Sequence, residues 1–479
     1  SLARRPRTWG RTIGLCALVG SLASACCRAG LAIPDERDAL AVARALAELA
    51  QRHAGLIRVR ERLAGDYPQV DDHAYTAASG ALAERVVLGS RPRVQAAIAR
   101  TGEVVGVAEL LGDPERFVYR CDDARAAARA ILDGSVTWDA HGRMDLHAPG
   151  GRSHRVGGVL LGLGIGGLHS EDPAGVVEGP LVDLDVASYY PAIIVAERIR
   201  PPQLPEFSER VGALMERRLA AKRAGDRLAS DALKIVVNSL YGQLGNQRSG
   251  LWSPPDALRV VLTGQLRLLE LIDGVIAGGG ELVSANTDGI VARGVGGMAG
   301  EAWQRRSGFV LEERTYARLI RTSINDYVAV GADGAVAKTK GAFGGGDDDV
   351  RVSSRSAAPI IARAAVGFLV HGQAIADVVA ASRDILDFCF WRRARDLSID
   401  ERPIDAAVVR WAVGRGGRAI VQRVNGTMRT VAESAVLVEQ PAGLEAAIVD
   451  RSWYVRAAQQ LVDGVFGPRP GDAQQSIFD

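Results

Sequence analysis

The chain has 479 residues, more than one hydrophobic core usually holds, so about two to four domains or subdomains are expected. Hydrophobic residues make up 47% and charged residues 24% of the sequence, which is typical of a globular protein. The net charge of +2 is too small to indicate nucleic acid as a partner, so nucleic-acid binding requires a local basic surface.

The first 33 residues read as a leader-like segment. An Arg-rich start, an apolar run and small residues, "RRPRTWGRTIGLCALVGSLASACC", are similar to a secretory signal peptide, with Cys26 at the place of a lipoprotein cysteine. The alternatives are a buried N-terminal helix or a segment that is not a natural start, since residue 1 is Ser. Beyond this segment no apolar run is long enough to span a membrane, so no membrane contact is expected.

The spacing of the cysteines indicates the redox compartment of the protein. The sequence contains no C-x-x-C pair among its five cysteines, which are Cys16, Cys26, Cys27, Cys121 and Cys389. This pattern indicates neither a zinc site nor a disulfide framework, and it favours a reducing compartment.

Residues 34–150 are predicted to be mainly helical. Leu and Ala recur at helical spacing between charges over residues 35–63, and a further helix is predicted from Asp123. Residues 151–170 are Gly-rich with apolar alternation, which predicts strand and turn. No G-x-G-x-x-G sequence follows a strand and opens a helix there, so a dinucleotide loop is not indicated.

The middle of the chain combines a strand with long helices. Leu181 to Val186 are strand-like, and Pro191 ends that run. A helical hairpin follows, with arms over 206–223 and 226–242 and basic residues along both arms. A third helix, 253–277, begins with Ser and Pro, as helices commonly do.

Two hairpins and a helical end complete the predicted elements. Residues 282–293, "LVSANTDGIVAR", read as two apolar half-strands around a polar turn with Asp288 at its tip, and turn chemistry alone explains such residues. A second hairpin is predicted over 322–343 and a linker over 344–349. From residue 353 onward helices are predicted to dominate, with a basic stretch from Arg392 to Arg423.

Two carboxylates stand out in segments otherwise built like a core. Asp185 ends a strand and Asp288 lies on a hairpin tip, so neighbouring strands would form a site for hard divalent cations. Mg²⁺ takes oxygen ligands, usually one or two carboxylates plus substrate phosphates. Two such ions, about 3.5–4 Å apart, stabilise the attacking and leaving oxygens of an in-line displacement at phosphorus. Each Asp alone also fits an ordinary solvated strand end or turn.

Cations on the helical hairpin complete this chemistry. Lys234 and Asn238 are four residues apart and share one helix face, as do Arg218 and Lys222 on the other arm. Arg offers a bidentate fork and Lys a point charge, so such a row grips phosphates. An ordinary solvated helix face is the alternative for either pair.

Three segments resemble motifs of the family B DNA polymerases, in the family's order. The segment "DVASYYP" (185–191) resembles the first palm motif, Asp-x-x-Ser-Leu-Tyr-Pro, and "KIVVNSLYG" (234–242) matches the fingers motif, Lys-x-x-x-Asn-Ser-x-Tyr-Gly, at every specified position. The segment "NTDG" (286–289) resembles the third motif, Asp-Thr-Asp-Ser. Its Asp288 lies 103 residues after Asp185, with the fingers helices between them.

The resemblance covers about residues 115–465 and is to phage or prophage-type members, since "GGLHS" (166–170) and "APIIARAAVGFLVHG" also look like them. Two departures lie in the third motif, where Asn286 replaces the first Asp and Gly289 replaces Ser. The family's metal ligand is the second Asp, so Asn286 removes one negative charge beside the metals without removing a ligand.

The resemblance implies roles residue by residue. Asp185 and Asp288 match the metal-binding aspartates, with the Val186 carbonyl as a further ligand, for two Mg²⁺ ions or Mn²⁺ in their place. Lys234 matches the fingers lysine that faces the incoming nucleotide and is the third catalytic residue. Tyr190 matches the tyrosine that stacks under the sugar and excludes a 2′-hydroxyl. The nucleotide-binding residues so implied are Arg218, Lys222, Asn238, Tyr190, Tyr241 and Gly242.

A DNA-binding surface is implied further along the chain. The segment "AKTKGAF" resembles the Lys-rich element that holds the primer–template, which gives Lys338, Lys340 and Gly341, with plain strand lysines as the alternative. The thumb would begin near Ile399, and its Arg415 and Arg418 would contact the duplex backbone.

Family B enzymes usually carry an N-terminal 3′–5′ exonuclease. The segment "YRCDD" resembles its third motif through Tyr119 and Asp123, but the first two motifs are missing, so residues 34–150 read as a degenerate or truncated exonuclease remnant. An acidic helix N-terminus is the alternative for this segment.

The expected fold class is α+β and multidomain, a right-hand polymerase with a palm β-sheet and helices, helical-hairpin fingers, a helical thumb and a mainly helical exonuclease remnant. The expected segments are a leader-like segment 1–33, the remnant 34–150, the first palm part 151–204, the fingers 205–245, the second palm part 246–345, and the thumb and tail 346–479.

The implied function is a template-directed DNA polymerase that adds dNMP to a primer 3′-hydroxyl and releases pyrophosphate, without proofreading. Its partners are primer–template DNA and dNTPs. A nucleic-acid primer is favoured, since Lys234 lies 43 residues after Pro191, too few for the insertion of protein-primed members. The alternative is a catalytically inactive, DNA-binding relative that acts as an accessory protein.

Two further expectations concern location and partners. A cytoplasmic location in a bacterial or phage-infected cell is expected. The tail "QQSIFD" (474–479) resembles the peptides that bind sliding clamps, and a frayed tail with one Phe fits equally well.

Overall fold

The structure is a computed structural model that describes residues 22–35, 38–73, 77–89, 91, 101–171, 173–294, 298–344, 355–404, 406, 408–439 and 448–466. The leader-like start up to residue 21, most of the predicted linker and the "QQSIFD" tail lie outside the described residues. The described part combines helices with several sheets and divides into two compact units, which confirms the expected α+β, multidomain class.

The described residues form α-helices throughout the chain. They are α1 (Leu22–Arg28), α2 (Ala39–Arg52), α3 (Ala54–Asp66), α4 (Ser79–Leu88), α5 (Val107–Leu111), α6 (Asp122–Leu132), α7 (Tyr189–Ala196), α8 (Phe207–Arg223), α9 (Arg227–Leu244), α10 (Pro254–Ala277), α11 (Met298–Ser307), α12 (Pro359–His371), α13 (Ile375–Ala381) and α14 (Arg451–Phe466). Short 3₁₀ turns lie at Pro68–His73, Pro114–Arg116, Gly341–Phe343 and Ile385–Phe388.

The strands lie between these helices. They are β1 (Val105–Gly106), β2 (Ser135–Trp138), β3 (Met144–His147), β4 (Ser153–Val156), β5 (Val159–Gly162), β6 (His169–Ser170), β7 (Gly175–Val186), β8 (Glu281–Asn286), β9 (Gly289–Arg293), β10 (Leu311–Ser323), β11 (Asp326–Val330), β12 (Val336–Lys340), β13 (Arg355–Ser356), β14 (Cys389–Arg393), β15 (Leu397–Ile399), β16 (Arg402–Pro403), β17 (Val408–Val424) and β18 (Thr427–Leu437). The short sheet β1-β2-β3 lies inside the segment predicted to be mainly helical.

One compact unit, called the motif unit below, consists of Arg58–Pro173 and Glu178–Arg318. The other, called the terminal unit, consists of the described parts of residues 1–57, 174–177 and 319–479. The division into six polymerase segments stays a prediction.

The motif unit is built on a sheet with the order β10-β7-β9-β8-β6-β5-β4. The central helix α10 packs against it and is buried on almost every side, as expected for a helix that is apolar all round. The predicted bounds of this helix, 253–277, are confirmed, and Pro254 occupies its first turn, where the missing N–H costs no helical bond.

The predicted helical hairpin is confirmed as α8 and α9, joined at Ala224-Gly225. Gly225 has a φ of 74°, a left-handed conformation that favours glycine at this turn. Asp226 caps α9, because its side chain accepts a hydrogen bond from the Ala229 N–H at 3.0 Å.

Helices near the start of the motif unit hold this hairpin. The buried residues of α4 pack against α9. Arg62 on α3 donates to Asp226 at 3.0 Å, and Arg217 on α8 donates to the Tyr67 hydroxyl at 2.6 Å. One side of the hairpin is therefore fixed by packing, and its other side is left to solvent.

The terminal unit contains helices α12, α13 and α14 beside a sheet with the order β13-β14-β17-β15-β16, in which β18 also pairs with β17. The prediction that helices dominate from residue 353 onward, with a helical thumb, is therefore wrong for residues 389–437. Four of the eight arginines of the basic run lie on β17, and the other four lie on or between β14 and β16. Residues 408–413 are buried without interruption, which is typical of a core strand and not of a solvated helix.

The start of the described chain belongs to the terminal unit. Cys26 on α1 is 0% exposed and packs in a small core with α2. Arg410 on β17 donates to the Leu31 carbonyl at 2.7 Å and so ties this segment to the sheet. Of the alternatives for this segment, a buried helix describes residues 22–28.

No helix in the described ranges is both long and apolar enough to cross a membrane.

The packing of α4 on α9 predicts the effect of one truncation. Leu82→Ala, at a residue that is 0% exposed, is expected to lower the free energy of unfolding by about 2–5 kcal/mol, because the lost methyl groups leave a cavity. Leu219→Ala on α8, where Leu219 is 50% exposed, is the matched control and is expected to change it by less than about 0.5 kcal/mol. Urea denaturation measures both, and equal losses would contradict the packing.

Candidate active site

Strand pairing brings the two predicted metal-binding aspartates together. Strands β7 and β9 are antiparallel, and Asp185 lies opposite Gly289, the residue after Asp288. The Val186 N–H donates to the Asp288 carbonyl at 2.7 Å. The backbones of Asp185 and Asp288 are therefore adjacent at the end of this strand pair.

Gly289 allows this close approach. A Cβ added at Gly289 would lie 2.9 Å from the Leu184 carbonyl oxygen and 3.2 Å from both Cα and Oδ1 of Asp185. Real Cβ atoms do not come within 3.0 Å of such atoms, so a side chain here would push the strands apart. Gly289, where the family's third motif has Ser, therefore fits the close approach of β7 and β9.

The hairpin tip is anchored by the "GGLHS" segment. The Thr287 N–H donates to the Leu168 carbonyl at 2.8 Å, and Ser170 Oγ accepts a hydrogen bond from the Ala285 N–H at 2.8 Å. Thr287 has a φ of 39°, an uncommon conformation for a β-branched residue and one that such anchors must hold in place. Asn286 participates as well, because its side-chain oxygen accepts from the Thr287 hydroxyl at 3.2 Å.

Ser188 connects the segment 185–191 to the α8–α9 hairpin. This residue has a φ of 51°, and its Oγ accepts a hydrogen bond from the Arg218 guanidinium at 2.7 Å. The Nε of Arg218 is buried and has no hydrogen-bond partner among the described residues. Sequence reasoning missed Ser188, although it is the Ser of the first motif.

Tyr190 and Tyr241 join the first motif to the fingers motif. Their ring centroids are 4.3 Å apart with an interplanar angle of 31°. Burial, with smaller contributions from Tyr241 and the Asp288 carboxylate, raises the pKa of Tyr190 far above its ordinary value. Tyr190 is therefore a neutral, half-buried ring beside the carboxylates.

The nucleotide-facing residues predicted on α9 lie along one side of the helix. Lys234, Asn238 and Tyr241 follow the i, i+4, i+7 pattern of one face, and the first two are exposed. The apolar residues between them, such as Val236 and Val237, are buried on the opposite face. Because Tyr241 touches Tyr190, this polar face leads toward the carboxylates.

Other predicted residues lie elsewhere. Lys222 and Gly242 are exposed on the α8–α9 hairpin. The predicted DNA-binding residues belong to the terminal unit, and they are Lys338, Lys340, Gly341, Arg415 and Arg418. Arg415 and Arg418 are exposed on β17, and Arg418 donates to Asp400 at 2.9 Å.

Tyr119 and Asp123, the two residues that resemble the third exonuclease motif, each form a hydrogen bond with a backbone group. The Tyr119 hydroxyl donates to the Leu266 carbonyl at 3.0 Å, and burial raises its pKa well above the ordinary value. Asp123 accepts from the Gly157 N–H at 2.7 Å. Asp273 on α10 holds the same segment, since it accepts from the Arg120 and Cys121 N–H groups at 3.0 and 2.8 Å. These contacts explain both residues without a nuclease site.

The donor set beside the hairpin fits Mg²⁺. Within the described ranges no group of three or more His, Cys, Asp or Glu side chains gathers as a metal site. A pair of carboxylates with hard oxygen atoms is nevertheless what Mg²⁺ commonly takes from a protein when substrate phosphates supply further ligands. Asp185 and Asp288 are such a pair.

Three more polar residues border this site and were missed in the sequence. Asp183 lies two residues before Asp185 and accepts a hydrogen bond from the Tyr316 hydroxyl at 2.7 Å. Arg314 lies two residues before Tyr316 on β10. The alternation of Asp183 and Asp185 on one strand was a readable signal, but nothing local indicates the partner strand.

Gly289→Ala tests the close approach at the ladder. The added Cβ is expected to separate β7 from β9 and to lower the free energy of unfolding by about 1–3 kcal/mol, as overpacking does. Gly274→Ala in α10 is the control, because a Cβ there meets no atom within 4 Å and helix interiors favour Ala by about 0.5–1 kcal/mol. Thermal denaturation should give opposite signs for the two variants, and a stabilised Gly289→Ala protein would refute the geometry.

Comparison with known proteins gives a distant structural similarity. No family model matches the sequence, and no curated protein matches it. Among solved structures, the family B DNA polymerase from the hyperthermophilic archaeon Pyrobaculum calidifontis is similar to this chain, with a TM-score of 0.46 and 15% sequence identity. The similarity covers 92% of this chain and 57% of that chain, so this chain spans less than two thirds of that polymerase. At this distance the functional conclusion depends on the residues of this chain.

Proposed function

We propose that the protein is a template-directed DNA polymerase of the family B type that extends a primer 3′-hydroxyl with dNMP. The convergence of the three motif segments in the motif unit supports this proposal. Asp185 lies opposite Gly289, Arg218 bonds Ser188 at 2.7 Å, and Tyr190 lies 4.3 Å from Tyr241. These groups supply two carboxylates, a phosphate-binding cation and a sugar platform in one place.

The carboxylates and the Val186 carbonyl would hold the metal ions. When bound, two Mg²⁺ ions stabilise the charge that develops on the attacking 3′-oxygen and on the leaving pyrophosphate. The role of this chain is to fix the geometry, since phosphoryl transfer depends mainly on positioning and electrostatics. The β7–β9 pairing would perform that role for Asp185 and Asp288.

The fingers residues would bind the nucleotide. Arg218, oriented by Ser188, and the exposed Lys222 and Lys234 attract the triphosphate, and Arg adds bidentate geometry to the attraction. The neutral ring of Tyr190 would lie under the sugar and leave no room for a 2′-hydroxyl. Tyr241, packed against it, keeps that ring in place.

The terminal unit would bind primer–template DNA. Lys338 and Lys340 lie on β12, and Gly341 follows with a φ of 62° where a Cβ would collide with Asp326. Lysine contacts of this kind go to phosphates and position a duplex without reading its sequence. Arg415 and Arg418 on the β17–β18 hairpin would add further phosphate contacts.

The remaining parts of the proposal are a phage or prophage type, a cytoplasmic location, the absence of proofreading and binding of a sliding clamp through residues 474–479. The contacts of Tyr119 and Asp123 with neighbouring backbone favour the absence of an exonuclease.

Primer extension tests the central claim. With Mg²⁺, dNTPs and primed DNA, the wild type is expected to extend the primer, and Asp288→Asn is expected to lose at least about 100-fold in rate, beyond the range typical of outer-shell residues. Asp122→Asn, at an exposed helix start, is the control and should extend normally. If the wild type binds primed DNA but does not extend it, the inactive accessory protein is the correct alternative.

Salt dependence tests the DNA-binding hairpin. Arg415→Gln is expected to weaken binding to primed DNA about equally for every sequence and to reduce the slope of log affinity against log salt by about 1, because one phosphate contact is lost. Arg44→Gln, at another exposed arginine of the terminal unit, should leave the slope unchanged. Fluorescence anisotropy at several salt concentrations measures both, and an unchanged slope for Arg415→Gln removes it from the interface.

A further inference from the structure

A polar row crosses strands β7 and β10 beside the candidate metal site. The two strands are neighbours in the sheet of the motif unit. The Ala187 N–H donates to the Val310 carbonyl at 2.9 Å, and at the other end of the pair Gly179 lies against the backbone of Ala317. The two strands therefore run in opposite directions and are antiparallel.

This register decides which side chains meet. Counting from the Ala187–Val310 bond, Arg314 lies opposite Asp183, and Tyr316 is its diagonal neighbour. Cross-strand and diagonal neighbours on one face of a sheet are within reach of long side chains. Asp185 shares that face with Asp183, because the two residues are two apart on one strand.

Asp183 is a buried carboxylate. It is 8% exposed, and the Tyr316 hydroxyl that donates to it at 2.7 Å is on a residue 4% exposed. Burying a carboxylate is costly unless hydrogen bonds and a cation compensate the charge. The register supplies such a cation in Arg314.

Arg314 also interacts with the metal-ligand carboxylate. Burial lowers the pKa of Arg314, but Tyr316, Asp183 and Asp185 raise it, and the net pKa is raised. Its side chain is 49% exposed and lies 3.6 Å from Glu312, so it is held loosely on its outer side. Asp185 therefore has a cation on the β10 side and Asp288 on the β9 side.

We infer that Arg314, held by Asp183 and Tyr316, is a positioning residue that offsets the charge of Asp185 and so sets the metal affinity of the site. This inference rests on the proposed function, in which Asp185 is a metal ligand. The Arg314 guanidinium and a divalent cation compete for the negative charge of the Asp185 carboxylate. Asp183 opposes that competition by drawing the guanidinium toward itself and by adding its own negative charge.

The two charged residues must then act with opposite signs. Arg314→Gln removes the competing cation and is expected to tighten divalent-metal binding by about three- to tenfold, as one charge at this range does. Asp183→Asn keeps the shape and still accepts from Tyr316, but it frees Arg314 to neutralise Asp185, so metal binding should weaken by a similar factor. The double variant should return toward the wild-type affinity.

Direct titration with Mn²⁺ measures these affinities without catalysis. The full chain is titrated with Mn²⁺, and the free ion is followed by electron paramagnetic resonance. Asp288→Asn identifies the binding that belongs to the site. Arg305→Gln is the matched control, since Arg305 is paired with Glu301 at 3.5 Å much as Arg314 is with Glu312, and it should not change the affinity.

Each outcome decides the matter. Opposite shifts for Arg314→Gln and Asp183→Asn support the inference. Weakened binding in both variants, or affinities within about twofold of the wild type, overturns it, because purely structural roles have no opposite signs. Arg314 is half-exposed, so Arg314→Gln is expected to fold. If Asp183→Asn unfolds, the direction of the change in metal affinity caused by Arg314→Gln decides alone.

The same titration separates this inference from the proposed function. If the wild type binds Mn²⁺ at Asp288 with the expected shifts but extends no primer, the polymerase proposal fails and the charge arrangement stands. If the wild type extends primers and the shifts are absent, only the inference fails. If it binds no Mn²⁺ at all, Asp185 is not a metal ligand and the inference falls.

Discussion

The pairing of β7 with β9 is the constraint on which the candidate site depends. It joins two carboxylates that are 103 residues apart in sequence and holds them with a Val186 N–H to Asp288 carbonyl bond. The pairing is tight because Gly289 has no side chain. A Cβ at this position would lie too close to the Leu184 carbonyl oxygen.

The α8–α9 hairpin is held on one side only. Arg62 and Tyr67 fix one side of the hairpin, and the buried face of α9 packs inward. The exposed face is left with Lys234 and Asn238. Tyr241 ends that face against Tyr190, a few residues after Asp185. A helix fixed on one side and polar on the other can present its cations toward a site without rearranging its core.

Sequence patterns predicted what local periodicity determines. Helices α8, α9 and α10 and the hairpin around Asp288 follow from spacing, caps and turn residues, and their bounds agree with the structure within a few residues. The strands after residue 388 were missed because a basic run resembles a solvated helix, while the burial of Val408–Val413 depends on distant partners. Asp183 and Tyr316 are 133 residues apart, and no local pattern reports a hydrogen bond across two strands.

Of the polar residues near Asp185, Asp183 carries a negative charge and Asn286 carries none. In the family motif that this segment resembles, a carboxylate stands at this position of the tip. Here Asn286 accepts a hydrogen bond from the Thr287 hydroxyl, beside the uncommon backbone conformation of Thr287. A buried carboxylate lies on β7 at Asp183, two residues before Asp185, with Tyr316 as its donor. This negative charge lies in the interior of the sheet. In the interior salt screens it less and a neighbouring arginine counts for more.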